Sequence, residues 1–566
     1  MSLLPADITA NLTAGIASYP KPDSVVYSYG TAGFRMAADL LDSVMFKVGI
    51  LAAIRSKALG GACVGVMVTA SHNPVPDNGV KLVEPSGDML VPEYEKIAVA
   101  MANASTVDEL AELAAAALAA ASVAPDAPAA VRYGHDTRPS ANRLVAALEA
   151  GLAVLPAVDA IPVGLVSTPQ LHYLVKASNE PQFGIATLDG YNNKLIAAYT
   201  QLLEAGGAGN GEFDAGKLFV DGANGVGAPA LAALLAAAGP DFALHASIVN
   251  DGSDPEVNIL NHEAGADYVK SNQMPPPVLA ETADRCAAFD GDADRVVYFF
   301  NSPSAGFVLL DGDKLASLMA DYISSTLQVL VDAGLVAADE LSLAVIQTAY
   351  ANGASTTYLR NELGATVEFT KTGVKHLHHA ALAYDIGVYF EANGHGTVVF
   401  SPKYVETLAR VAANPDLATA PPAAAAATQL GLLPAVVNQA VGDAISDMLF
   451  IEAILRIRRL SVADWAALYT EHPNRLTKVA VADRTVFTTT NADQQLVEPT
   501  GMQDAIDALV APVDAGRAFV RPSGTEDVVR VYAEASSQDA ADALALAVAK
   551  LVYDTADGVG ELVTSF

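Results

Sequence analysis

What most constrains the fold of this chain is a pattern that recurs five times: a short apolar run reading as a buried strand, stopped abruptly by a loop of small and polar residues. Cys63 to Val68 stops at Thr69-Ala70-Ser71-His72-Asn73-Pro74, and Leu218 to Val220 at Asp221-Gly222-Ala223-Asn224-Gly225. Cys286 to Phe289 leads into Asp290-Gly291-Asp292-Ala293-Asp294-Arg295, and Ile386 to Phe390 into Glu391-Ala392-Asn393-Gly394-His395-Gly396. Ala518 to Val520 leads into Arg521-Pro522-Ser523-Gly524-Thr525-Glu526. Helical patterns lie between these strands: Leu40, Val44, Val48 and Leu51 repeat at helical spacing, and Gly60-Gly61 ends that helix. Strands alternating with helices give α/β layers, and open α/β sheets hold ligands beyond the carboxyl ends of their strands, where these loops lie. No fixed-period repeat suggests a solenoid.

Each loop has its own chemistry. Asp290, Asp292 and Asp294 alternate, so on an extended segment their carboxylates face one way and repel one another unless a cation sits among them. Hard oxygen donors imply Mg²⁺ or a similar ion. An EF-hand is excluded, because its sixth and twelfth positions would be Arg295 and Asn301. An exposed acidic turn is the bland alternative. Ser71 offers a nucleophile without the Gly-x-Ser-x-Gly elbow of hydrolases; read locally it is a loop hydroxyl before a turn. Arg521, Pro522, Ser523, Gly524 and Thr525, with Arg530 beyond, read as a phosphate cradle of planar cation, hydroxyls and close backbone, or else as a tight turn without a ligand. The nucleotide P-loop pattern is absent. Glu391, Ala392, Asn393 and His395 suit sugar hydroxyls and proton transfer, and Lys371 to His379, including Lys375 and His376, is dense in protonatable groups. A zinc site there lacks a spaced ligand set. The glycines of Asp221 to Gly227 miss the dinucleotide spacing, which leaves a dehydrogenase only as an alternative.

Composition narrows the partners. The 64 acidic residues outnumber 32 basic ones, a formal charge of −32, which disfavours nucleic acid and anionic membranes. The longest uncharged stretch, Leu417 to Gly442, carries Pro421, Pro422, Pro434, Gln429, Asn438 and Gln439 and reads as an Ala/Pro-rich linker, with residues 412–434 a local expansion rather than a membrane span. The first ten residues hold Asp7 and no basic residue, unlike a secretory signal, and two cysteines, Cys63 and Cys286, fit a reducing cytoplasm. Boundaries are expected near Ser178 to Gln182, Asn301 to Gly306 and residue 460, giving domains 1–180, 181–301, 302–460 and 461–566. Before the last of these, Ala444, Met448, Ile451 and Leu455 form one helical stripe, and Ser461 with Asp464 reads as a capping pair.

Taken together these loops resemble the α-D-phosphohexomutase superfamily, most closely its members acting on N-acetylglucosamine phosphates. The resemblance rests on Tyr29 to Arg35, Thr69 to Lys81, Ser167 to Tyr173, Asn261 to Lys270, Asp290 to Arg295, Gln347 to Gly353, Thr372 to His379, Glu391 to Thr397 and Arg521 to Glu534, in family order along nearly the whole chain. It implies a heart-shaped, four-domain α/β molecule: three related domains and a smaller helix-on-sheet domain. It also implies interconversion of N-acetylglucosamine 6-phosphate and 1-phosphate through a phosphoserine and a sugar 1,6-bisphosphate, supplying UDP-N-acetylglucosamine synthesis. By position Ser71 would carry the phosphoryl group, and Ser71, Asp290, Asp292 and Asp294 would bind one Mg²⁺. Glu391, Ala392 and Asn393 would hold the sugar, and Arg521, Pro522, Ser523, Gly524, Thr525 and Arg530 the distal phosphate. His72, Lys81, Arg35, His376 and His395 would serve charge and proton transfer. His135 stands where the family usually has Arg, and takes no role. Asn393, where glucose- and mannose-type relatives commonly have serine, favours an N-acetyl sugar.

These expectations describe a cytoplasmic enzyme of small sugar phosphates, a monomer or weak dimer, with Arg35, Lys81, Arg295, Lys371, Lys375, Arg521 and Arg530 lining a basic cleft. A phosphoglucomutase or phosphomannomutase, a metal-dependent phosphatase and a noncatalytic sugar-phosphate sensor are the alternatives.

Overall fold

The computed structural model describes residues 4–30, 33–208, 216–254, 258–282, 284–523 and 528–566. The chain divides into two units, one of Met1–Leu309 with Leu432–Ile457, the other of Leu310–Gly431 with Arg458–Phe566.

The first unit holds two five-stranded sheets. Strands β1 (Phe34–Ala37), β2 (Cys63–Val68), β3 (Asp77–Val83), β4 (Ala129–His135) and β5 (Val158–Leu165) form the order β1-β3-β2-β4-β5. Strands β6 (Leu218–Asp221), β7 (Ala246–Val249), β8 (Arg285–Phe289), β9 (Val296–Ser302) and β10 (Gly306–Leu310) form β10-β9-β8-β6-β7. In each, one strand sits where the sheet changes direction: β2 runs parallel to β4 and antiparallel to β3, and β8 runs parallel to β6 and antiparallel to β9. Both are buried at every residue, which is why they read as unbroken apolar runs rather than alternating ones. The Asp42–Ala58 helix packs against the first sheet, and Gly60 and Gly61 end it in left-handed conformations, as expected from the Gly pair.

The Ala444–Arg458 helix completes the first unit from far along the chain. The expected single stripe is an underestimate, for every residue from Ala444 to Leu455 is buried. One of them is a charge. Glu452 accepts two 2.9 Å bonds from Arg285 of β8 and a 3.2 Å bond from the Tyr298 hydroxyl, so the ion pair is buried with its oxygens engaged.

In the second unit β11 (Leu343–Thr348), β12 (Thr366–Thr370), β13 (Ile386–Phe390) and β14 (Gly396–Phe400) form the order β12-β11-β13-β14, with β13 parallel to β11 and antiparallel to β14. The same junction therefore occurs a third time. Beyond it lie β15 (Asn474–Ala480), a hairpin of β16 (Thr488–Thr490) and β17 (Gln495–Glu498), then β18 (Arg517–Pro522) and β19 (Val528–Glu534). The antiparallel sheet β15-β19-β18 packs Val520 and Val531 against Ile506 and Val548 of two helices. Ser461 and Asp464 form the expected capping box.

The stretch Leu417 to Gly442 is a correction. It is no linker: a 3-10 turn, Pro415–Thr419, is followed by a helix, Pro421–Val436, that buries Ala423, Ala426 and Leu430 at helical spacing. Pro421 and Pro422 are tolerated because a helix's first N–H groups have no partner inside it. Pro434, deeper in, leaves the carbonyl four residues earlier without its helical donor, and the buried Tyr404 hydroxyl donates to that Leu430 oxygen at 2.8 Å instead. Among the described residues no helix is long and apolar enough to cross a membrane.

Candidate active site

Three of the five loops leave the strand at a direction-change junction: Ser71 follows β2, Asp290 follows β8 and Glu391 follows β13. Each is thus the same connection in a related sheet. In the first unit two of them meet. Ser71 is buried, its backbone in the left-handed region (φ 50), and its Oγ donates to Asp290 Oδ2 at 2.6 Å. Lys81 of β3 reaches Asp292 Oδ2 at 3.2 Å and Asp294 Oδ2 at 3.4 Å, and the Thr168 hydroxyl donates to Asp292 Oδ2 at 2.6 Å. Arg295 lies 3.7 Å from Asp290 and 3.8 Å from Asp294 while gripping Asp267 at 2.7 Å. Arg35 of β1 donates to Asn73 Oδ1 at 3.0 Å, and His72 Nδ1 lies 3.4 Å from Ser71 Oγ.

The three aspartates converge, but not as alternate residues of a strand. They occupy a tight turn in which Ala293 is left-handed (φ 58) and Asp290 Oδ1 accepts from the backbone N–H groups of Asp294 and Arg295. All three are buried, one oxygen or more of each lying within 4.8 Å of the others, and Asp292 Oδ1 has no hydrogen-bond partner. Buried carboxylates crowded this way call for a cation, and an all-oxygen set with a Ser71 oxygen beside it fits Mg²⁺. Burial, reinforced by Asp294 and Asp292, pushes Asp290 well above the usual carboxylate range. Burial acts the same way on Asp292, but Lys81 and Thr168 outweigh it and hold that carboxyl low. Lys81 is likewise raised by the two aspartates against its own burial. For His72, Arg295 and then burial bring the imidazole down to about 4, so it is neutral at pH 7.

In the second unit Glu391 Oε1 accepts from Gly373 N at 3.2 Å, directly before the Val374–Ala381 helix that carries Lys375 and His376. Its backbone N–H bonds the His395 carbonyl at 2.8 Å, His395 N donates to Asn393 Oδ1 at 3.1 Å, and the Ala392 carbonyl accepts from Gly312. His395 is buried and His376 exposed, its pKa lowered by burial, Lys371 and Lys375. On the antiparallel sheet Arg521 of β18 stands directly opposite Arg530 of β19, which stands opposite Lys478 of β15. Three cations in one cross-strand row repel, so the row suits an anion. Arg521 is also held by Asp493 at 3.1 Å, whose carboxylate accepts from Thr372 N at 3.0 Å. Ser523 is buried and closes the loop by donating to the Val528 carbonyl; Pro522 ends β18, and Gly524 and Thr525 lie outside the described residues. Among the described residues the aspartate trio is the one group with metal-ligand spacing; Lys371 to His379 with His395 forms none.

Sequence reasoning missed Thr168, Asn261, Arg138, Lys478 and Asp493 as site residues. Lys478 needed strand register, and Asp493 needed the path of a hairpin whose turn, Asn491 to Asp493, is left-handed throughout. Asn261 and Arg138 act on backbone carbonyls, which carry no residue-type signature.

Residues 182–297 and 311–460 match the families described as Phosphoacetylglucosamine mutase AMG1, domain II and domain III. Residues 48–108 and 476–551 match Phosphoglucomutase/phosphomannomutase, alpha/beta/alpha domain I and C-terminal domain. The phosphoacetylglucosamine mutase of Sus scrofa is 47% identical over 97% of this chain and 98% of its own. The crystal structure of Aspergillus fumigatus N-acetylphosphoglucosamine mutase in complex with GlcNAc-6P and magnesium is 44% identical, with a TM-score of 0.90 over 97% of this chain and 99% of that one. A serine-to-alanine variant of the Aspergillus fumigatus enzyme in complex with glucose 1,6-bisphosphate is 43% identical, with a TM-score of 0.89 over 98% and 100% of the two chains.

Proposed function

Because the chain belongs to the phosphoacetylglucosamine mutases of the α-D-phosphohexomutase superfamily, we propose that Ser71 carries its transferred phosphoryl group and that the aspartate trio holds its Mg²⁺. The enzyme is an intramolecular phosphotransferase interconverting N-acetylglucosamine 6-phosphate and 1-phosphate, with a sugar 1,6-bisphosphate between them. The observation that carries the residue assignment is the Ser71 Oγ to Asp290 contact at 2.6 Å, which sets a nucleophile on the edge of a buried carboxylate cluster.

Phosphoryl transfer is catalysed mainly by positioning and charge neutralisation. A free hydroxyl of the sugar phosphate attacks the phosphorus on Ser71; the new P–O bond to the sugar forms as the P–Oγ bond breaks and its electron pair returns to Ser71. The hydroxyl proton needs an acceptor and Ser71 Oγ a donor, and neutral His72, 3.4 Å from Oγ, is placed to exchange that proton. Lys81, charged beside Asp292 and Asp294, and Arg35 add positive charge near the transferring group. Mg²⁺ bound by Asp290, Asp292, Asp294 and a Ser71 oxygen would supply charge neutralisation of the phosphoryl oxygens. Glu391 and Asn393, with the Ala392 backbone, hold the sugar hydroxyls, with His395 on the same loop and His376 on the adjoining Val374–Ala381 helix. Arg521, Pro522, Ser523, Gly524, Thr525 and Arg530 hold whichever phosphate is not reacting, so the bisphosphate turns around against one fixed clamp.

The expected domains 1–180, 181–301, 302–460 and 461–566 each carry one of these loops, but two boundaries shift: β10 (Gly306–Leu310) pairs into the sheet of β6 to β9, and residues 432–457 belong with the first unit. The product feeds UDP-N-acetylglucosamine synthesis in the cytoplasm, where the buried free thiols of Cys63 and Cys286 stay reduced. The test is ³¹P NMR of the wild type and Ser71→Ala with N-acetylglucosamine, glucose and mannose phosphates, with and without Mg²⁺. Interconversion confined to wild type with Mg²⁺, fastest on the N-acetyl sugar, is expected. Turnover by Ser71→Ala overturns the carrier assignment, and preference for glucose or mannose phosphates overturns the sugar assignment.

A further inference from the structure

Two sequence motifs have no part in the chemistry above: the glycine-rich Asp221 to Gly227, whose glycines miss the dinucleotide spacing, and the segment opening at Asn261. They meet on the nucleophile loop. The Asn261 side-chain amide donates to the backbone carbonyls of Ser71 at 2.8 Å and Asn73 at 3.2 Å. Arg138, buried in the loop after β4, donates from Nη2 to the same two carbonyls at 3.0 and 2.7 Å, and spends its other N–H groups on Asp136, Pro74 and Asp77. Each carbonyl thus receives two donors, one from the loop after β4 and one from the connection between β7 and β8, which fills both lone pairs. A serine in the left-handed region is strained and persists only where its surroundings over-determine it.

Asn261 is itself held by the glycine-rich loop. Its backbone N–H bonds the Ala223 carbonyl at 2.9 Å, Asn224 Nδ2 bonds the Ile259 carbonyl at 3.1 Å, and Asp221 bonds Gly265 N at 2.6 Å and Ala223 N at 2.9 Å. The amide lies over Gly291 of the aspartate turn, where a Cβ would stand 2.6 Å from the Ser71 carbonyl and 3.0 Å from Asn261 Nδ2. Only glycine lets the nucleophile loop, the Asn261 amide and the aspartate turn approach so closely.

We propose that Asn261 is a positioning residue for phosphoryl transfer: it locks the Ser71 backbone so that Oγ faces the aspartate trio, and Asp221 to Gly225 is the frame that presents it. The inference rests on Ser71 being the phosphoryl carrier. Removing one donor from carbonyls that keep another should slow the step without touching sugar contacts.

The test measures kcat, KM and the rate of Ser71 phosphorylation by glucose 1,6-bisphosphate, by intact-mass quench, in Asn261→Ala, Asn261→Gln and Asn261→Asp, each normalised to the fraction that melts cooperatively. Asn261→Ala should lose about 10–100-fold in kcat and in phosphorylation rate with KM within about twofold. Asn261→Gln should recover part of that rate, and Asn261→Asp, which sets a carboxylate against two carbonyls, should lose more. Ser71→Ala is assayed beside them. If it turns over, the carrier reading fails. If it is inactive while Asn261→Ala keeps wild-type kcat, or if all three Asn261 variants lose rate equally after normalisation, the positioning role fails by itself.

Discussion

A carboxyl that resists ionisation must give up a proton before it can bind a cation. Asp290 is in that position, pushed up by burial and by Asp294 and Asp292. Mg²⁺ binding should therefore release protons and tighten as pH rises, which calorimetry in buffers of different ionisation enthalpy will read as a buffer-dependent heat. A heat independent of buffer would refute it. His172 poses the opposite case. Its Nδ1–H donates to the Gly87 carbonyl at 2.6 Å while Nε2 is buried without a partner, and burial with Lys81 nearby brings its pKa down to about 4. The unfolded chain protonates this histidine near pH 6.5 and the folded one only near 4, so its contribution is intact above 6.5 and is lost as pH falls towards 4. The size is of order 3 kcal/mol, and His172→Gln should flatten the fall of denaturant stability between pH 6.5 and 4. An unchanged slope would show that His172 is not the group responsible.

At the scale of single elements, the helix Pro421–Val436 depends on one hydroxyl outside it. Tyr404→Phe leaves the Leu430 carbonyl without the donor that Pro434 denies it, and should lower the denaturant-derived stability by about 1–3 kcal/mol with mutase activity retained. No change would mean that the carbonyl finds another donor. This helix also shows where sequence reading stops. Three prolines in an uncharged stretch suggest a linker, yet two fall in the first turn and the third is compensated by a tyrosine thirty residues earlier. Local pattern cannot reveal such a compensation. The strands were legible because buried strands are apolar throughout: Cys63–Val68 and Ile386–Phe390 are strands over just those residues. The aspartate trio was legible by residue type and its geometry was not, since a turn through left-handed Ala293 brings the carboxylates together where strand alternation was expected. Ser71 and Asp290 were legible as groups with chemistry and Lys81 and His72 only through the family resemblance, whereas Arg138 and Asn261 work through main-chain oxygens that every residue possesses.

For the molecule as a whole, a formal charge of −32 coexists with cations gathered in each unit. Arg35, Lys81 and Arg295 stand around the aspartates, and Lys478, Arg530 and Arg521 form the row on the antiparallel sheet. Exterior charge is screened beyond about 8 Å at physiological salt, so such local groups can still attract a phosphate. The first unit is discontinuous: it closes only when Leu432–Ile457 returns to it with the helix whose Glu452 neutralises Arg285. Residues 1–309 expressed alone should therefore melt without cooperativity or aggregate, and joining residues 432–457 to them through a flexible linker should restore a cooperative melt. Equal melts for the two fragments would show that the helix is dispensable. The same discontinuity sets a schedule during biosynthesis. About 140 residues separate Leu310, the end of the sheet's last strand, from Glu452, so at roughly 5–20 residues per second a ribosome takes about 7–28 s to deliver the helix. For that interval the nascent first unit carries an uncompensated arginine and an uncovered apolar sheet, the kind of surface that chaperones hold.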